Sequence, residues 1–271
     1  MGFFVITLDA LIVSVALPAI GRDLGGGITG LQWVVDGYTL MLAALLLTAG
    51  AVSDRVGAKR AFGLGLAVFL AASAACGFAP SLAVLVVARF AQGAGAAVMM
   101  PAALALIRDG YPDARARTHA LAIWAVGGSV GSAAGPLVGG ALAGWDWRWI
   151  FFINLPVGLV ALVLLGRAAS SPPRAVPLDA VGQVSAVVAL GAVTYALIEG
   201  GQAGFGSVRI LGALVLAAVA VAVFLTDQAR GRTPMMPLDL FRSRPEADRY
   251  HADHTYGDDA LRPEECHIVD Q

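Results

Sequence analysis

Gly50-Ala-Val-Ser-Asp54-Arg55-Val-Gly57-Ala-Lys59-Arg60 sets four charges and two glycines between two long apolar runs, Leu31 to Ala51 and Ala61 to Ala79. Each run has about the 20 residues that a helix needs to cross a hydrocarbon core, so the stretch reads as a short loop at one membrane surface. Arg55, Lys59 and Arg60 make that surface the cytoplasmic one, because inner loops carry the excess of lysine and arginine.

Reading outward from this loop, the apolar runs number eight: Gly2 to Ile20, Leu31 to Ala51, Ala61 to Ala79, Leu82 to Ile107, Ala120 to Gly144, Trp149 to Gly166, Ala180 to Ile198 and Val208 to Thr226. Composition agrees, with 58% hydrophobic and 14% charged residues and a mean hydropathy of +0.76. An ordinary soluble domain is excluded, and the expected fold class is an all-α polytopic membrane protein of about eight transmembrane helices. With the amino terminus inside, inner loops hold Arg55, Lys59, Arg60, Arg108, Arg115, Arg117, Arg167 and Arg174, whereas outer loops hold only Arg22, Arg148 and Arg209. That asymmetry places both termini in the cytoplasm. The segment Ser170-Ser-Pro-Pro-Arg-Ala-Val-Pro177 reads as an extended linker. Residues 1–169 then form a first six-helix lobe, 170–179 a cytoplasmic linker, 180–226 two further spans and 227–271 a polar tail.

Three charged residues fall well inside apolar runs, away from their ends, and define the candidate site. Asp9, Asp36 and Arg89 each carry a cost in hydrocarbon and are functional by default. Counting 1.5 Å per residue from the outer ends, Asp36 lies about 8 Å and Arg89 about 10 Å deep, so the two are expected to pair. Such a pair is either a coupling device or a static buried ion pair that fixes helix packing. Asp9 likewise is either functional or a cap on a neighbouring loop. Trp33 is expected as an interfacial anchor, with Tyr38 balanced between anchor and ligand contact, and Trp145, Trp147 and Trp149 as an outer aromatic belt. Glycines at every fourth position from Gly127 through Gly131, Gly135 and Gly139 allow close helix packing.

Other chemistry is not supported. Cys76 lies in an apolar run and Cys266 in the tail, so no disulfide framework is expected. His251, His254, Cys266 and His267 lack zinc spacing, so no metal or other cofactor is expected. No nucleic-acid motif appears, and no nucleophile–base set that would make an enzyme. The first run lacks a basic start and holds Asp9, unlike a cleavable signal peptide. Gly63-Leu-Gly65 and Gly93-Ala-Gly95 are not dinucleotide fingerprints, because no strand precedes them.

The stretch from Gly50 to Arg60 closely resembles the signature loop between helices 2 and 3 of the major facilitator superfamily. Leu8-Asp9-Ala-Leu-Ile-Val-Ser14-Val-Ala-Leu17-Pro18 resembles the first-helix motif of that family's fourteen-helix drug:proton antiporter branch, with Leu11 and Ser14 where the branch commonly has Thr and Asn. Gln32-Trp33-Val-Val-Asp36-Gly-Tyr38-Thr39 is similar to its second-helix segment. Arg89-Phe-Ala-Gln92-Gly93 is similar to the fourth-helix motif, which implies that Arg89 and Gln92 line a central cavity and take part in proton coupling. Gly135-Pro136-Leu-Val-Gly139-Gly140, with Gly131 before it, resembles the antiporter motif and implies export. The string from Trp145 to Gly158 resembles the segment that opens helix 6, and Ile198-Glu199-Gly200 the end of helix 7 in this branch.

The resemblance implies a helical bundle whose gating loop is Gly50, Asp54, Arg55, Gly57, Lys59 and Arg60, and whose coupling residues are Asp9, Asp36, Arg89 and Gln92. It implies proton-driven efflux of small hydrophobic or cationic compounds across the cytoplasmic (inner) membrane, so the expected partners are a small-molecule substrate, protons and the lipid bilayer. It stops near Pro245, and Glu246 to Gln271 hold no apolar run. A truncated or frameshifted reading with an incomplete second lobe is therefore expected, leaving either an inactive product or a half-transporter that needs a partner lobe.

Overall fold

The computed structural model describes residues 1–168 and 179–230, and every regular element among them is helical. The helices are α1 (Gly2–Leu24), α2 (Gly27–Val56), α3 (Ala58–Gly77), α4 (Leu82–Gly110), α5 (Ala114–Ala143), α6 (Trp149–Phe152), α7 (Asn154–Gly166), α8 (Ala180–Ala203) and α9 (Val208–Arg230). Eight spans are long and apolar enough to cross a membrane, with α6 and α7 together making one of them, Trp149–Gly166. The eight apolar runs of the sequence therefore each become a membrane-length span. Most extend past the apolar run, because the helix continues into polar residues as far as backbone bonding allows. Residues 169–178 and 231–271 lie outside the described residues, and with them nearly all of the expected linker and tail and the residues His251, His254, Cys266 and His267. Asp179 caps α8 by accepting from Gly182 N at 2.7 Å, and α9 runs through Arg230, beyond Thr226.

The surface loop expected over Gly50 to Arg60 is almost entirely helical. Gly50 to Val56 are the last two turns of α2, α3 begins at Ala58, and Gly57 alone joins them. One residue can reverse a chain so tightly only in an unusual backbone conformation, and Gly57 has φ +90°, a region open to glycine. Its N–H bonds the Ser53 carbonyl at 3.0 Å, closing the end of α2. The sixth span is broken for a different reason. Pro156 has no N–H to give the Phe152 carbonyl four residues back, and its ring crowds that turn, so the helix is interrupted at Ile153.

Glycine sets how the helices meet, as expected where lipid gives little drive for association. The only α5 residues fully buried are Gly128, Gly131, Gly135 and Gly139, all facing α1. A Cβ on Gly131 would lie 2.5 Å from the Phe4 carbonyl oxygen, and one on Gly139 2.9 Å from that of Ile12. The seam thus starts at Gly128 rather than Gly127, while Pro136 and Gly140 are exposed beside it. Gly65 of α3 and Gly95 of α4 make a second close crossing, where a Cβ on Gly95 would stand 2.8 Å from the Gly65 oxygen. Gly93 lets α4 approach the α2 backbone at Tyr38 in the same way. Helix α4 is thereby wedged between α2 and α3, α1 lies against α5, and α8 packs on α2 with α9 as its hairpin partner.

Candidate functional site

The crossings bring five helices to one buried polar knot. Asp9 of α1, Ser73 of α3, Arg89 and Gln92 of α4, and Asn154 at the start of α7 are each 0% exposed. Arg89 Nη1 donates to Asp9 Oδ2 at 2.5 Å and to Gln92 Oε1 at 2.8 Å. Its Nε donates to the Val34 carbonyl at 3.0 Å. The guanidinium carbon lies 4.3 Å from the centre of the Tyr38 ring, and the ring of Phe151 is 5.9 Å away. Tyr38 is itself fully buried and donates its hydroxyl to the Ile6 carbonyl at 3.2 Å. It belongs to the knot and is no interfacial anchor.

The second carboxylate oxygen, Asp9 Oδ1, accepts from Gln92 Nε2 at 2.8 Å and from Asn154 Nδ2 at 2.7 Å. Two bare ions in this interior would cost several kcal/mol each, and mutual attraction repays that only where further hydrogen bonds satisfy them. Here the bonds are supplied by two amides and a backbone carbonyl, and the π face of Tyr38 adds to them. Two buried atoms stay unmatched, the donor Arg89 Nη2 and the acceptor Asn154 Oδ1.

Arg89 therefore pairs with Asp9 and not, as its depth suggested, with Asp36. The reason is rotation about the α2 axis. Val34 and Tyr38, one turn apart, both face Arg89. Asp36 lies two residues from each, roughly 200° round a helix of 3.6 residues per turn, and so points the other way. It is half-buried, and no ion pair or hydrogen bond joins its carboxylate to another described residue.

At the end holding Gly57, Arg108 of α4 reaches Asp54 at 3.7 Å, and Lys59 Nζ donates to the carbonyls of Gly166 at 3.2 Å and Ala168 at 2.5 Å. These contacts tie the α2–α3 turn to the ends of α4 and α7; Arg55 and Arg60 stay exposed. At the opposite end Arg148 donates to Asp23 at 2.8 Å and stacks 4.4 Å over Trp147, whose Nε1 donates to the same carboxylate at 3.0 Å. Trp147 is 4% exposed, so the expected aromatic belt keeps only Trp145 and Trp149 at the surface. Trp33 is likewise engaged, donating to Glu199 of α8 at 3.2 Å.

Sequence reasoning missed Ser73 and the role of Asn154. A lone serine in an apolar run carries no signal. Asn154 did carry one: an amide inside a membrane span, two residues before a proline that must open the helix. Among the described residues no group of His, Cys, Asp and Glu is suited to a metal.

Membrane-length helices packed round a buried Asp–Arg pair make a multi-pass membrane bundle. The chain belongs to the Major Facilitator Superfamily, whose family model matches residues 1–229. It is 44% identical over 245 residues to the multidrug resistance protein Stp of Mycobacterium tuberculosis, covering 89% of this chain and 46% of that protein. It is 40% identical over 245 residues to the methylenomycin A resistance protein of Bacillus subtilis, covering 90% of this chain and 53% of that one. The fold is similar to a crystal structure of the peptide transporter POT with sulfate, with TM-score 0.59, 21% identity, and coverage of 85% of this chain and 52% of that one. It is also similar to an inward-facing bacterial homologue of the lysosomal transporter Spinster, with TM-score 0.53, 23% identity, and coverage of 87% and 61%. The chain spans about half the length of the curated relatives it matches. The superfamily resemblance read from the motifs is borne out.

Proposed function

We propose that this chain supplies the first lobe, residues 1–169, of a proton-coupled exporter of drugs or other small hydrophobic or cationic compounds, with α8 and α9 as the two additional helices of the fourteen-helix branch. The observation that carries the reading is the Asp9–Arg89 pair at 0% exposure in the bundle interior. A guanidinium is permanently charged, so Asp9 is the member of the pair that can exchange a proton. The unmatched Arg89 Nη2 and Asn154 Oδ1 leave room in the hydrogen-bond pattern for water or a polar group of the cargo. Asp36, free of a fixed partner among the described residues, is suited to meet an arriving cation first. The relatives' names as multidrug and antibiotic resistance proteins support efflux as the direction. So does the glycine seam of Gly131, Gly135 and Gly139 in the antiporter motif.

Carriers of this fold move cargo by rocking two lobes about a site at their interface, so transport requires a second lobe facing this one. The arginine bias around the Asp54 turn supports an orientation with both termini in the cytoplasm and the bundle in the inner membrane. To test the reading, residues 1–230 are joined to the second half of the 44%-identical relative and reconstituted in liposomes with an imposed pH gradient and a fluorescent cationic drug. Gradient-dependent accumulation that disappears in Asp9→Asn is expected, while the 271-residue chain alone gives none. Accumulation that is indifferent to the gradient, or that survives Asp9→Asn, overturns the proposal.

A further inference from the structure

Ser73 is the point where three hydrogen bonds of the knot converge. Its Oγ donates to the Phe151 carbonyl at 3.1 Å and accepts from Gln92 Nε2 at 3.0 Å and Asn154 Nδ2 at 2.9 Å. A hydroxyl has one proton and two lone pairs, so every position on Ser73 is used. With its proton committed to Phe151, Ser73 offers the two amides lone pairs only, and lone pairs take N–H groups. Both amides are thereby turned nitrogen-first, and both place an N–H on Asp9 Oδ1. The orientation of each amide follows from this network.

The arrangement suits a carboxylate and opposes a carboxylic acid. A proton on Oδ1 would leave an O–H directed at two N–H donors, with no acceptor in reach of it. One acceptor stands ready on the same side chain: Asn154 Oδ1, buried without a hydrogen-bond partner, comes into place if the amide turns over.

We propose that Ser73 and Asn154 form a latch in which Ser73 holds the Asn154 N–H against the Asp9 carboxylate, and the amide inverts to accept the Asp9 O–H when that carboxylate takes up a proton. The proton comes from water and ends on Oδ1; Asp9 becomes neutral, Arg89 keeps its charge and no other covalent bond changes. After inversion Oδ1 of Asn154 accepts from both Asp9 and Ser73, so Ser73 releases the Phe151 carbonyl, which lies two residues from the break at Ile153. Protonation is passed in this way to the interrupted sixth span. Ser73 and Asn154 are positioning residues that act through Asp9, and the latch rests on the reading of Asp9 as the proton-exchanging group. The charged or titratable neighbours of Asp9 are Arg89 on α4, Tyr38 on α2 and Cys76 on α3, with no ionisable side chain on α6 or α7, while the α5 glycines pack against Phe4, Leu11 and Ile12 on another face of α1.

Asn154 is the sole asparagine of the 271 residues, so the purified chain labelled with [15N]asparagine shows a single side-chain amide pair by NMR. In the unsubstituted chain one amide proton should be shifted downfield by the carboxylate, and the pair should move on acidification. Ser73→Ala should speed its exchange with water roughly fivefold, as loss of one neutral hydrogen bond would, and Ser73→Thr should restore the slow rate. Asp9→Ser should lose both the downfield shift and the response to acid. An amide pair in the unsubstituted chain that ignores acid, or that responds equally in Asp9→Ser, overturns the latch, as does unaltered exchange in Ser73→Ala. The spectrum needs no transport: a liposome chimera that moves no drug beside a responsive Asn154 counts against export alone. A transporting chimera beside an unresponsive Asn154 counts against the latch alone.

Discussion

Asp9 and Asp36 are both carboxylates set in membrane-length apolar helices, yet the structure treats them oppositely. Asp9 is sealed from solvent and accepts from Arg89, Gln92 and Asn154. Asp36 is half-buried on the far side of α2, and its carboxylate is bonded to none of the described residues. A charge in a hydrophobic run therefore announces a site without saying which kind. The direction in which the helix turns it decides whether it becomes part of the bundle's interior or stays open to an incoming ligand.

The largest expected effect separates the two regions by stability. Arg89→Leu leaves Asp9 buried without a counter-charge and should cost about 3 to 5 kcal/mol in reversible unfolding in detergent. Asp36→Asn should stay within about 1 kcal/mol, as changes outside buried networks do. Equal losses would erase the contrast.

How much of this was legible in the sequence follows from the same pair. The eight spans could be read because length and hydropathy alone decide them. The glycine face of α5 could be read because its spacing matches the helical repeat, though the true register is Gly128, Gly131, Gly135 and Gly139. Depth counted from a helix end fixes height but not rotation against neighbouring helices, so depth alone matches Arg89 with Asp36 in place of Asp9. Four charges in eleven residues resemble a surface loop at Gly57, and nothing local reveals that a single glycine reverses the chain.

A smaller effect tests what holds Asp9 in position. Gly135 packs where a Cβ would come within 3.0 Å of Leu11 Cβ and 3.3 Å of Ile12 N. Gly135→Val should therefore push α1 from α5 and cost about 1 to 3 kcal/mol in the same unfolding assay. Pro136→Ala, on the exposed side, should be close to neutral. If Gly135→Val is also neutral, the seam does not position α1.

On the other side of the comparison, α2 carries the α8–α9 hairpin through polar contacts: Trp33 to Glu199, Thr48 with Gln183, and Gln183 Nε2 to the Ala44 carbonyl at 2.9 Å. Glu199→Leu should weaken unfolding stability by about 0.6 kcal/mol, the average for hydrogen bonds between membrane helices. A loss as large as that from Arg89→Leu would mean that the α2 face is as tightly built as the Asp9 knot.

The smallest stability effect belongs to the Asp54 turn. Its pair with Arg108 is 3.7 Å long and substantially exposed, so Asp54→Lys should change stability by about 0 to 1 kcal/mol and leave membrane insertion normal. On the proposal that this turn acts as a gate between two lobe states, the same variant should lose transport in the liposome chimera. Normal transport would remove the gating role from this turn.

The most direct test is a pair of double-mutant cycles on unfolding stability, one joining Asp9→Asn with Arg89→Gln and one joining Asp36→Asn with Arg89→Gln. Contacting residues couple by about 0.5 to 3 kcal/mol, whereas independent sites add within about 0.5 kcal/mol. A coupling of at least about 1 kcal/mol is predicted for Asp9 with Arg89, and additivity for Asp36 with Arg89. Additivity in the first cycle with coupling in the second would contradict the account.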